Sequence, residues 1–196
     1  EISSCDWSSD VCSSDLRNAI CSLAKHFLVT AGPAESPDRV AGWLTFLRLS
    51  GDSESTGRAV RLIIRRGPIM AARTAASTVD LSRSTRTTAS ADIELLTAAG
   101  DVLEPAQADK ICEWALAMLQ EPQSYLERTR PTFPVLDKII GLLKAMVGTL
   151  SETAIRNVVD YFLDRPPITD NGTAQILARL IHAIPVSVWH EDDRSS

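Results

Sequence analysis

The chain has 196 residues, of which 44% are hydrophobic and 23% charged, and carries a formal net charge of −5 at neutral pH. It is long enough for one domain with a buried core. No apolar run approaches the ~18–20 residues that a bilayer-spanning helix needs, and no secretory signal is recognisable, so a membrane role is excluded and a cytoplasmic setting is expected.

The first residues do not read like the rest. Residues 6–16 spell DWSSDVCSSDL, a polar run with no apolar stripe. It resembles a translated sequencing-library adapter. The codons GAC TGG AGT TCA GAC GTG TGC TCT TCC GAT, then CT with any third base, reproduce every residue from Asp6 to Leu16. The resemblance implies that residues 1–16 are an artefact, to be set aside before the fold is considered. Glu1, Asp6, Asp10 and Asp15 leave with them, so the remaining chain has a net charge of −5 + 4 = −1. Cys21 and Cys112 then remain, each on an apolar helix face, and they read as core residues in a reducing compartment.

From Arg17 onward the periodicity is helical. Ile20, Leu23, Ala24, Phe27 and Leu28 follow the i, i+3, i+4, i+7, i+8 stripe of one helix face. Ser36-Pro37 is a helix start, Val40, Trp43, Leu44 and Leu47 continue it, and Gly51 closes it. Val60, Ile63 and Ile64 belong to a third helix that stops at Gly67-Pro68. The pattern then weakens. A modest alanine-rich helix is expected over 68–80, an exposed loop over 81–89, and a short helix over 91–99 through Ile93, Leu95 and Leu96; a frame shift within 67–90 is the competing explanation for the weak stretch. Ile111, Trp114, Ala115, Met118 and Leu119 form the next stripe, between Pro105 and Pro122. Leu136, Ile139, Ile140, Leu143, Met146 and Val147 follow, ending at Gly148. Ser151 caps a helix with Ile155, Val158, Val159, Phe162 and Leu163, and the last stripe is Ile176, Leu177, Leu180, Ile181 and Ile184. These two should pair as an antiparallel hairpin. No segment alternates with period two for long enough to make a strand, so the fold class is all-α.

Alternate helices begin near Pro105 and Glu152, and near Phe133 and Asn171, offsets of 47 and 38 residues. This succession resembles the degenerate HEAT-like α-solenoids of larger bacterial proteins. The resemblance implies antiparallel helix pairs stacked as a short solenoid over 17–190, with 191–196 as a tail. A compact irregular helical domain is the alternative. It also implies an internal piece with open ends, on which Ile20, Leu23, Phe27 and Leu28 at the front and Val186, Val188 and Trp189 at the back lie exposed.

Charge supplies the one candidate site. Residues 17–100 hold 11 bases and 7 acids, and residues 101–196 hold 9 bases and 14 acids. Arg58, Arg61 and Arg65 share one helix face at i, i+3, i+7, with Arg66 beside them, and Asp80 is the sole acid between Arg58 and Arg86. Such a stripe can hold phosphates, and HEAT-like solenoids that excise damaged bases are a structural analogy. Its plainer reading is a solvated face paired with acids from another repeat, and no aromatic residues interleave with it to stack on bases.

Nothing else rises to a site. His182, His190, Glu191, Asp192 and Asp193 look like metal ligands by type, but Pro185 breaks the helical spacing they would need. There is no phosphate-binding Gly-Lys-Ser/Thr loop and no Ser-His-Asp or Cys-His arrangement. Trp43, Trp114, Phe133, Tyr161 and Phe162 sit at core spacing, and Glu113, Asp137, Asp160 and Asp164 at exposed helix positions. No catalytic residue, metal or cofactor is therefore expected. The sequence favours a non-catalytic interaction or scaffold region, whose partner is a protein or another domain of a parent chain. The alternative is nucleic-acid binding or base excision through the arginines.

Overall fold

Ser36 holds extended backbone ahead of Pro37, and the missing N–H of a first-turn proline costs the helix nothing. At the other end of that helix Gly51 takes φ 83°, a left-handed conformation that a side chain would resist. The computed structural model describes residues 10–84, 88–120 and 135–163, together with Ala178 and His182. Among these it is all-helical and contains no strand.

The helices are α1 (Asp10–Thr30), α2 (Pro37–Leu49), α3 (Ser53–Arg66), α4 (Ile69–Ser77), α5 (Ala89–Ala99), α6 (Pro105–Gln120), α7 (Val135–Met146) and α8 (Glu152–Leu163). Short 3₁₀ turns at Leu81–Arg83 and Gly100–Val102 precede and follow α5. Among the described residues the most extensive packing, α3 on α5, α2 on α4 and α5 on α7, joins helices that do not follow one another directly. α3 lies against α1 and α5, α5 against α7, α2 against α4, and α6 against α8, while α1–α2, α2–α3 and α6–α7 also touch.

α5 sits at the centre. Ala89, Ala91, Asp92, Ile93, Leu95, Leu96 and Ala99 are buried and none of its other residues is exposed. With every residue buried or half-buried, α5 lies inside the core. Small residues on its neighbours allow close approach: α3 offers Thr56, Gly57, Ala59 and Val60, and α4 buries Ala71, Ala72, Ala75 and Ala76 completely. The weak alanine-rich stretch is thus a tight-packing surface. Alanine contributes little apolar area per residue, which is why its periodicity is faint in the sequence.

Two expectations are corrected at the α4–α5 junction. Residues 81–89 are not simply an exposed loop, because Leu81 is only 7% exposed and joins the core. Asp80 organises the turn, accepting the backbone N–H of Ser82 at 3.0 Å and its hydroxyl at 2.5 Å. α5 also begins two residues earlier than its apolar stripe, at Ala89, which is itself buried. At the front, Leu28 is fully buried, but Leu23 is 56% exposed and Val29 64%. α1 continues without interruption across the Leu16–Arg17 boundary, while Trp7 lies outside the described residues.

In the C-terminal half, Asp109 of α6 accepts the N–H of Ser151 at 2.9 Å, and the Ser151 hydroxyl accepts that of Ala154 at 3.2 Å. The start of α8 is thereby capped twice and tied to α6. Val158 joins the main core, whereas Ile155 and Val159 form a small separate cluster with Leu150. The expected hairpin partners Ile176, Leu177, Leu180 and Ile181 lie outside the described residues, as do Val186, Val188 and Trp189. No helix among the described residues is long and apolar enough to cross a membrane.

Candidate functional site: the basic groove between α1 and α3

α3 is placed by its first residue. The Asp52 carboxylate accepts the Ser55 N–H at 3.0 Å as an N-cap and pairs with Lys25 of α1 at 2.7 Å. Burial pushes the Asp52 carboxyl up, but the Lys25 and Ser55 hydrogen bonds outweigh it and hold the group below the ordinary carboxylate value. This one side chain caps the start of α3 and ties it to α1.

Between the two helices lies a groove of about 400 Å³. Leu28, Ala59 and Leu62 lie along it with Val29 and Ser55, and Lys25, Arg58, Arg61 and Arg65 complete the lining. The lining includes neither an acidic nor an aromatic side chain. Three of the four arginines singled out in the sequence therefore share one concave surface; Arg66 is exposed but does not line it.

The arginines are less free than their local sequence implies. Arg58 pairs with Glu54 at 2.8 Å, one helical turn earlier, and Arg61 with Glu94 of α5 at 3.1 Å. Arg73 donates to Glu104 at 2.7 Å and to the Val102 carbonyl, and Arg83 pairs with Asp80 at 3.3 Å. Arg65 and Arg66 have no ion-pair partner among the described residues. Exposed pairs of this kind contribute roughly 0–1 kcal/mol each, so they orient the side chains without removing them from use.

A partly buried tryptophan and an aspartate beside the groove arginines would favour base excision. Trp43 instead packs against Phe27 and Phe46, with ring centroids 5.7 and 6.3 Å apart. Trp114 lines a different opening of about 590 Å³, where the end of α4 and the Leu81 turn face α6. Among the described residues the most enclosed acid is Asp92, which sequence reasoning missed. It accepts from Arg48 at 2.5 Å and from the Ser84 hydroxyl at 2.6 Å, and neither it nor Arg48 lines the groove. Within the stripe of α5, an acid at a core position was the available signal for it.

Cys112 is buried, and burial first, then the nearby Asp109 and Glu113, push its thiol up to about 12. Among the described residues no three His, Cys, Asp or Glu side chains are grouped to hold a metal ion. His26 and His182 are exposed, and His190 lies outside the described residues. Compared with protein-family models, with curated proteins and with solved structures, the chain matches none.

Proposed function

We propose that this chain is a non-catalytic protein-interaction region that serves a larger protein. The observation carrying this reading is the open groove between α1 and α3, where the half-buried Leu62 and the solvent-facing Val29 lie beside Lys25, Arg58, Arg61 and Arg65. A concave, partly apolar surface with polar walls suits a protein segment. The packing of α3 on α5 and α2 on α4 supports a HEAT-like stack of pairs; the enclosure of α5 supports the compact alternative. Either architecture presents the same groove.

The test is an interaction screen with the full chain, followed by reconstitution of each binder from purified components. A partner that binds the pure chain and is lost with Val29→Asp is the expected result. Saturable binding of a DNA duplex that weakens steeply between about 50 and 200 mM salt would overturn it, because that slope marks phosphate contacts.

A further inference from the structure

We infer that the α1–α3 groove receives an acidic amphipathic helix. The inference rests on the interaction reading and names the chemistry of the partner. The groove combines an apolar strip, the exposed Val29 and the half-buried Leu62, with bases on its lining and no acid there. An apolar partner face alone would leave those bases facing hydrocarbon. A purely charged partner would leave the strip wet.

Spacing gives the inference its register. Arg58, Arg61 and Arg65 follow i, i+3, i+7 on α3, a row spanning about 10 Å at the α-helical rise. Carboxylates repeating at i, i+3 or i+4 and i+7 on a second helix span the same length, beside an apolar stripe that would meet Val29 and Leu62. Arg65 has no ion-pair partner among the described residues to give up. Arg58 and Arg61 exchange exposed pairs with Glu54 and Glu94 for pairs with the ligand, at small cost. A nucleic acid is the weaker fit, because the groove supplies no aromatic platform and its apolar strip matches no phosphate.

The experiment measures fluorescence anisotropy with the full chain and three labelled probes. They are a helical peptide of about four turns with a leucine stripe flanked by glutamates, the same peptide with lysine replacing each glutamate, and a short DNA duplex. The glutamate peptide should bind. Arg65→Glu should weaken it about tenfold, the scale of a lost charge-assisted contact, while Arg83→Glu, on the exposed turn before α5, should leave it unchanged. Circular dichroism checks that both variants remain folded. Equal binding of the two peptides would overturn the acidic partner while leaving the interaction reading in place. Saturable duplex binding that displaces the glutamate peptide would overturn both readings. Failure of every probe would overturn this inference alone, since the interaction screen tests the broader reading independently.

Discussion

The Arg48 guanidinium on α2 donates to the Asp92 carboxylate on α5 at 2.5 Å, with side-chain exposures of 9% and 2%. Ser84 donates to the second Asp92 oxygen, while Nε of Arg48 is buried without a hydrogen-bond partner among the described residues. The pair locks three parts of the core together, yet its value lies in being complete. Arg48→Met leaves a buried carboxylate with only a hydroxyl, and should cost about 3–5 kcal/mol. The double variant Arg48→Met/Asp92→Leu should recover most of that loss. Urea unfolding of the single and double variants measures both. A double variant as unstable as the single would show that the pair contributes more than mutual charge compensation.

Gly100, at the end of α5, is a packing glycine. A Cβ there would fall 2.5 Å from the Ala145 carbonyl oxygen and 2.7 Å from its carbon, both backbone atoms of α7 that cannot swing aside. Gly100→Ala should therefore force α5 and α7 apart and cost about 1–3 kcal/mol, the usual range for overpacking. The Thr149 hydroxyl, which donates to the Gly100 carbonyl at 3.1 Å, lies on the same contact. Thermal unfolding should show the loss, and an unchanged midpoint would mean that the contact relaxes freely.

Cys21 and Cys112 should react very differently. The Cys112 thiol is buried and pushed up to about 12, so almost no thiolate exists at neutral pH, whereas Cys21 is half-buried on α1. Iodoacetamide at neutral pH, followed by peptide mapping, should modify Cys21 readily and Cys112 only after denaturant is added. Equal labelling of both in the folded chain would show that α6 opens locally.

Asp52 links stability to acid. Its folded carboxyl lies below the ordinary value of 3.8, so the unfolded chain binds its proton more readily. The resulting stabilisation is present in full well above that value and is lost as pH falls through the lower, folded value. Asp52→Ala removes the α3 cap and should cost about 1 kcal/mol at neutral pH. Asp52→Asn keeps a capping oxygen but cannot ionise. Its stability difference from the parent chain should shrink below the ordinary carboxylate range, as urea midpoints across an acid series would reveal. A difference that persists undiminished at the lowest pH would assign the effect to something other than Asp52 ionisation.

The linear pattern was sufficient for the local elements. Val40, Leu44 and Leu47, like Ile139, Ile140, Leu143 and Met146, are buried where helical spacing placed them, and Ser36-Pro37, Gly51 and Gly67 bound helices as expected. These signals act within a turn or two of the chain, so a sequence displays them directly. The Arg58, Arg61 and Arg65 row was legible for the same reason, being one face of one helix. What the row meets was not: Arg61 finds Glu94, 33 residues away, and Arg73 finds Glu104, 31 away. The absence of acids within the arginine-rich stretch therefore overstated its free charge. The burial of Leu81, the central place of α5 and the contact between Arg48 and Asp92, 44 residues apart, likewise arise from packing. Helix periodicity specifies which face turns inward; only the tertiary structure decides which other face it meets, because charge pairing and close packing depend on separation in space.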